Sequence, residues 1–218
     1  MSSNYTREDS KVEVTGLEAR YYDLLMNVVT GGTYPFFIRN AIREMQIQPG
    51  DRILVFGSGT GRNLALMDGY LDGDGEIVGL DIGPEMLEQA RRRFEGHPYI
   101  QIREQGIDEP LPYQESFDKV FISFVLHGFV QDDRLKIIAN AQRALRPGGE
   151  FIILDYNEFD LQQAIWPVKI AFKLECPLAT DFIGRDWQSI LREQGFDAFR
   201  SYPHYLGYVR LLAARKAE

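Results

Sequence analysis

A chain of 218 residues with 24 basic and 32 acidic side chains carries a formal charge of −8, a balance that argues against a nucleic-acid partner, which calls for a basic face. The length suits one domain with a single core better than two full domains, and 44% hydrophobic with 26% charged residues is the make-up of a folded chain, not a disordered one. One cysteine, Cys176, excludes an intramolecular disulfide, and neither a signal-like apolar run near the start nor a stretch of about 18 apolar residues occurs later, so a cytoplasmic protein is expected.

Residues 1–16 show no periodicity and are expected to be a flexible segment ahead of one domain at 17–218. Leu17, Tyr21, Leu24, Leu25 and Val28 recur at helical spacing, with Gly31-Gly32 as the stop. A second amphipathic stretch runs from Pro35 to Met45, so 17–50 reads as a helical N-terminal cover. Strands are then predicted at 52–57, 76–80, 99–103, 118–123 and 150–155, alternating with helices at 61–70, 84–95 and 132–145. Residues 105–116, rich in Pro and acidic side chains, predict no clear element. This alternation implies an α/β fold of the doubly wound kind, with right-handed crossovers, a parallel sheet and helices on both faces. The ligand site of such a sheet lies beyond the carboxyl ends of its strands. The apolar segment from Tyr156 to Ile183, punctuated by Pro167 and Pro177, reads either as an acceptor cap spanning 156–185 or as core packing of an inserted helix. Trp187–Leu191 predicts a helix, and the last strands are expected at 196–202 and 205–213.

The stretch Ile53-Leu54-Val55-Phe56-Gly57-Ser58-Gly59-Thr60-Gly61 runs a buried strand into a glycine-dense turn that opens a helix. Glycines there allow positive φ, close backbone approach to a ligand and tight helix–strand packing, and the free N–H groups of the helix start suit an anion. About twenty residues on, the strand Glu76-Ile77-Val78-Gly79-Leu80 ends at Asp81, whose carboxylate is placed to accept from ribose hydroxyls. The third glycine follows the second by two positions, whereas the dinucleotide fingerprint has three.

This combination resembles the class I S-adenosylmethionine-dependent methyltransferases, whose first motif is a strand followed by Gly-x-Gly-x-Gly. The likeness continues through Leu80-Asp81-Ile82-Gly83-Pro84-Glu85-Met86-Leu87, Glu109-Pro110-Leu111-Pro112-Tyr113, Ser116-Phe117-Asp118-Lys119-Val120 and Arg143-Ala144-Leu145-Arg146-Pro147-Gly148-Gly149-Glu150. Arg20-Tyr21-Tyr22-Asp23 looks like the quinone C-methyltransferases and phospholipid N-methyltransferases in particular. The resemblance implies a Rossmann-like seven-stranded sheet whose last strand is antiparallel, S-adenosyl-L-methionine as cofactor and S-adenosyl-L-homocysteine as product.

It also implies residue roles. Gly57, Ser58, Gly59, Thr60 and Gly61 would line the methionine portion, and Asp81 would hold the ribose. Ile82 and Met86 would flank the adenine, with Ile107 or its neighbour Asp108 near the adenine amino group. Ser123 and Phe124 would pass under the methionine chain, and Tyr21 or Tyr22 would close over the cofactor. One departure is Val55, at a position the family usually gives to Asp or Glu.

Methyl transfer from a sulfonium needs mainly positioning and desolvation; a base matters when the acceptor is a phenol or a carbon acid. His127, just after the fourth strand, is the candidate base, its alternative being a hydrogen-bonded histidine that shapes the loop. Asp155 ends the fifth strand as a possible active-end carboxylate or an ordinary loop residue. His204 and His97 read as solvated or surface side chains, and Cys176 as a small buried residue. No His/Cys spacing suggests a metal. The expected function is transfer of a methyl group to a small-molecule or lipid-like acceptor, with a quinol or amine head group as candidates and at most peripheral membrane contact. The alternatives are a non-catalytic S-adenosylmethionine-binding or regulatory protein and, disfavoured by the glycine spacing, a nicotinamide-dependent oxidoreductase. The oligomeric state is not encoded in any pattern found.

Overall fold

The computed structural model describes residues 32–218; the expected helix at 17–28, with Tyr21 and Tyr22, lies outside them. The first described helix, α1 (Tyr34–Glu44), has Pro35 in its first turn and buries Tyr34, Phe37, Ile38, Ala41 and Ile42, the spacing of one apolar helical stripe. There follow β1 (Arg52–Phe56), α2 (Arg62–Asp68), β2 (Glu76–Asp81), α3 (Pro84–Arg93), β3 (Ile100–Glu104) and β4 (Phe117–Ser123). Next come α4 (Gln131–Ala144), β5 (Leu145–Tyr156), α5 (Trp166–Leu174), α6 (Pro177–Ile183), α7 (Trp187–Glu193), β6 (Phe196–His204) and β7 (Val209–Lys216). Two short 3₁₀ turns, Leu126–Gly128 and Tyr205–Gly207, interrupt this series.

The strands form one seven-stranded sheet in the order β3-β2-β1-β4-β5-β7-β6. β1 to β5 are parallel neighbours, and β7 is antiparallel to both β5 and β6, as the family resemblance implied. Alternation along β1 divides the core between the two faces: Leu54 and Phe56 pack with the α4, α6 and α7 side, Ile53 and Val55 with α1 and α2. Strands covered on both faces explain the near-continuous apolar runs.

Several expected boundaries shift. The fifth strand begins at Leu145, five residues early, because Leu145 pairs with Phe117 before a register shift carries Arg146-Pro147-Gly148-Gly149 past the partner strand. The last strand runs over 209–216 instead of 205–213, since Tyr205 and Leu206 turn the chain with positive φ values of 46° and 58°. Residues 105–116 join β3 to β4 without a helix.

Candidate active site

Strand order reverses between β1 and β4, the place where a parallel sheet opens a crevice at its carboxyl end. Phe56 pairs with Leu80 on one side and Ile122 on the other, so the residues that follow these strands stand side by side. Gly57, Gly59 and Gly61 all have positive φ, at 69°, 54° and 78°, but their surroundings differ. A Cβ on Gly57 would lie 2.7 Å from Val125 Cγ2 across the crevice, and one on Gly61 would lie 2.6 Å from the Phe94 ring; one on Gly59 would meet nothing within 4 Å among the described residues. The outer glycines are fixed by packing, while Gly59 faces open space.

Asp81 ties this loop to the next one. Its Oδ2 accepts from the Gly59 N–H at 2.7 Å, and its Oδ1 accepts from the N–H groups of Ile82 and Gly83, both at 2.9 Å. An ionised carboxylate offers about four accepting directions, so three serve the two loops and about one is left for a hydroxyl. Ser58 is buried against Gly79, where a Cβ would come within 2.8 Å of its own, and its Oγ has no hydrogen-bond partner among the described residues. Thr60 is buried, Ile82 exposed and Met86 buried beneath Gly83. Ile107 packs into the core and Asp108 is half-buried; Asn140 Nδ2 pins their loop by donating to the carbonyls of Ile107 and Glu109. Ser123 and Phe124 leave β4 at the crevice, and Phe124 turns the chain at φ 52°. Val55 is buried in the apolar cluster with Leu64 and Phe121.

The second half of the site joins the ends of β4 and β5. Asp155, 1% exposed, accepts from the His127 ring: Nδ1 lies 2.7 Å from Oδ1. The same carboxylate takes the backbone N–H groups of His127 and Tyr156. With Asp155 ionised, the ring proton sits on Nδ1 and the lone pair of the neutral imidazole is at Nε2, which lies 3.9 Å from Glu175 Oε1. Burial pushes the His127 pKa down, but the charge and hydrogen bond of Asp155, with the charge of Glu175, outweigh it and the opposing Arg134, so the value stands above that of a free histidine. Tyr156 donates its phenol to Glu175 Oε2 at 2.9 Å, and burial together with that carboxylate pushes the phenol pKa up.

Arg134, fully buried, holds the turn that carries His127. Its guanidinium donates to the carbonyls of Leu126, His127 and Leu178 and to Asp181, and lies over the rings of Phe182 and Trp187. Neither Arg134 nor Glu175 stood out in the sequence, because the partners of each are brought to it only by the fold; the one local cue is that Arg134 is a charged residue on the buried face of an amphipathic helix. The His127, Glu175 and Cys176 ligating atoms also lie within 4.8 Å of one another, a spacing of metal-binding type that the sequence had not suggested. His204, expected in solvent, instead bonds Glu44 at 2.8 Å, and His97 packs edge-on to Phe94 and Tyr99. Cys176 is a buried free thiol.

Beyond the dyad, the segment after β5 borders a groove of about 740 Å³ lined by Phe159, Leu161, Phe172 and Ile183 together with the charged side chains of Lys169, Lys173 and Asp160. Phe172 and Tyr156, with ring centroids 4.9 Å apart, stand between this groove and His127, whose ring is 4.9 Å from that of Tyr156. Among the described residues no helix is long and apolar enough to cross a membrane.

Residues 53–149 match the methyltransferase-domain family. An uncharacterized methyltransferase of Synechocystis sp. is 30% identical over 178 residues, 80% of this chain and 80% of the relative. Demethylmenaquinone methyltransferase of Symbiobacterium thermophilum is 32% identical over 146 residues, 64% of this chain but only 56% of the relative, so the match spans little more than half of that protein. Among solved structures, the S-adenosylmethionine-dependent methyltransferase SibL in its apo form shares the fold at TM-score 0.69 and 19% identity, covering 94% of this chain and 60% of that one. A SAM-dependent methyltransferase from Aquifex aeolicus does so at 0.62 and 17%, covering 82% and 88%.

Proposed function

Because this chain belongs to the class I S-adenosylmethionine-dependent methyltransferases, a family and fold that imply S-adenosylmethionine as cofactor, we propose that it methylates a small-molecule or lipid-like acceptor bearing an ionisable hydroxyl or acidic carbon, with a quinol ring as the first class to test. The residues present fit the cofactor: among the described residues Gly59 opens onto free space, Asp81 keeps an accepting direction beside it, and the Ser58 hydroxyl lies buried without a partner. When bound, S-adenosylmethionine supplies an electrophilic methyl group on a sulfonium. Gly57, Ser58, Gly59, Thr60 and Gly61 would cradle its methionine portion, Asp81 would hold the ribose, and Ile82 and Met86 would border the adenine, with Asp108 at its edge.

The observation that carries the choice of acceptor is the His127–Asp155 pair. A buried carboxylate fixes the ring and directs Nε2 away from the strand ends, two residues on from Val125, whose side chain touches the Gly57 position. An acceptor hydroxyl or acidic carbon placed within hydrogen-bond reach of Nε2 would give its proton to Nε2, and Asp155 would stabilise the resulting imidazolium. Tyr156 and Phe172 limit water at that point. An amine already neutral would need none of this. The relative named for demethylmenaquinone methylation supports the quinol class.

The test is formation of S-adenosylhomocysteine with demethylquinols, small phenols and phospholipid amines. Turnover of a quinol or phenol that falls by about 10²–10⁴-fold in His127→Ala is expected. Turnover confined to amines, or indifferent to His127→Ala, would refute the base assignment, and binding of S-adenosylmethionine with no turnover across the panel would favour a non-catalytic role.

A further inference from the structure

We propose that the end of the molecule carrying the site docks on the surface of an anionic lipid bilayer, through the outer faces of α1 and α5 and the turn at 205–207. The inference deepens the lipid-like acceptor reading and rests on it for its purpose, though not for its geometry. Val209 pairs with Tyr156 and with His204, so the turn before it stands at the same end of the sheet as Asp155. That turn links the starts of both helices: Tyr205 OH lies 3.2 Å from Thr33 Oγ1 and its ring 4.8 Å from that of Phe37, while Tyr208 OH accepts from the Ile165 N–H.

Large apolar side chains project from each of the three elements. Phe36 is 70% exposed, Trp166 73% and Leu206 89%, with Ile165 and Ile170 also exposed. The two helices repeat one pattern. Phe36 is followed at three and seven residues by Arg39 and Arg43, and Trp166 at the same intervals by Lys169 and Lys173, all of them exposed. None of the four basic side chains is ion-paired among the described residues. α5 contains no acidic residue, and the carboxylates nearest these elements are engaged internally: Glu44 with His204, Glu158 with Arg210, Glu175 with Tyr156 and Asp160 with Gln162 and Gln163.

In a chain of net charge −8, a basic, aromatic-tipped end orients the molecule toward an anionic surface and turns its acidic remainder away. Aromatic side chains interleaved with Lys and Arg on protruding helix starts and a turn tip suit a headgroup layer better than the flat apolar face of a protein interface. The groove beside α5, lined by Phe159, Leu161, Phe172 and Ile183 together with Lys169, Lys173 and Asp160, adjoins this surface and would accept an acyl or isoprenoid tail.

Sedimentation of the full chain with vesicles tests this, comparing phosphatidylcholine alone with a phosphatidylcholine–phosphatidylglycerol mixture. Binding to the anionic vesicles that weakens with salt is expected. Lys169→Gln with Lys173→Gln should cut partitioning about 25-fold, and Trp166→Ser with Leu206→Ser at least about tenfold. These positions are exposed, so the variants should keep the wild-type circular dichroism and melt. Equal binding to both vesicle types, unchanged binding by both double variants, or a dimer dissolved by Trp166→Ser with Leu206→Ser would overturn the proposal, the last by assigning the surface to a second copy. Turnover of dispersed quinol without vesicle binding would remove the docking inference and leave the functional reading, and vesicle binding without turnover would do the reverse.

Discussion

Two glycines separated by one residue should fail in different ways when given a methyl group. Gly61 has φ +78°, and its new Cβ would lie 2.6 Å from Phe94 Cε2 and 3.4 Å from Ala90 Cβ. The left-handed conformation costs an L-residue about 1–2 kcal/mol, and overpacking a buried ring about 1–3 kcal/mol more. Gly61→Ala is therefore expected to lose about 2–5 kcal/mol, a large share of a typical domain stability of about 5–15 kcal/mol. Gly59→Ala carries the conformational part alone, because no atom of the described residues lies within 4 Å of its Cβ position. Its methyl group would instead occupy the space assigned to the cofactor, beside the N–H that Asp81 holds, and should weaken S-adenosylmethionine binding at least about tenfold, or about 1.4 kcal/mol. Urea unfolding followed by circular dichroism, paired with calorimetric titration of S-adenosylmethionine, separates the two effects. Gly59→Ala that binds normally, or that destabilises as much as Gly61→Ala, would refute the assignment of open space to Gly59 and packing to Gly61.

Asp155→Asn keeps the shape and removes the charge that raises the His127 pKa, so the His127 titration seen by NMR should move down; an unchanged midpoint would show that Asp155 does not set it. A histidine whose folded pKa is raised adds stability below its unfolded value and loses it as pH rises through the folded value, so the stability gap between wild type and Asp155→Asn should narrow over that rise. Arg134→Met strands the carbonyls of Leu126, His127 and Leu178 and takes the buried guanidinium from Asp181, which keeps its bond to Arg185; a loss of about 3–5 kcal/mol in urea unfolding is expected, and less than about 1 kcal/mol would refute its bracing role. Burial pushes Glu150 up, but Arg200 and Lys119 more than offset it and hold its pKa below the usual carboxylate value. That stability is present above the unfolded pKa and is lost as pH falls through the folded one, so Glu150→Gln should flatten the acid limb of thermal stability; an identical limb would contradict the pairing.

The strand, glycine turn and Asp81 were legible because they are contiguous or joined by one crossover of known hand. The His127–Asp155 pair was only half legible. Both residues stood out at strand ends, but they are 28 positions apart and meet because β4 and β5 are neighbours in register, with Ser123 opposite Leu154. Glu175 comes to that pair from a segment whose course depends on Pro167 and Pro177 starting separate helices. The early start of β5 was hidden since Arg-Pro-Gly-Gly has the composition of a turn, yet the register shift opposite Phe117 and Lys119 accommodates it within the strand. Tyr205 and Leu206 in left-handed conformation have no sequence signature, which is why the last strand was placed four residues early.

The strand latest in chain order does not lie at the sheet's rim. β7 is inserted between β5 and β6, and β6 has no other partner among the described residues, so these strands stay unjoined until residues 209–216 emerge during synthesis. Until then β5, the strand that bears Asp155, presents a long unpaired edge of Phe151, Ile152, Ile153 and Leu154. Such an edge is a template for pairing with another chain, and pairings across long sequence separation form late. The dyad's own strand is thus the point most exposed to misassembly in the newly made protein, and a defect in the final strand would register first as aggregation during expression.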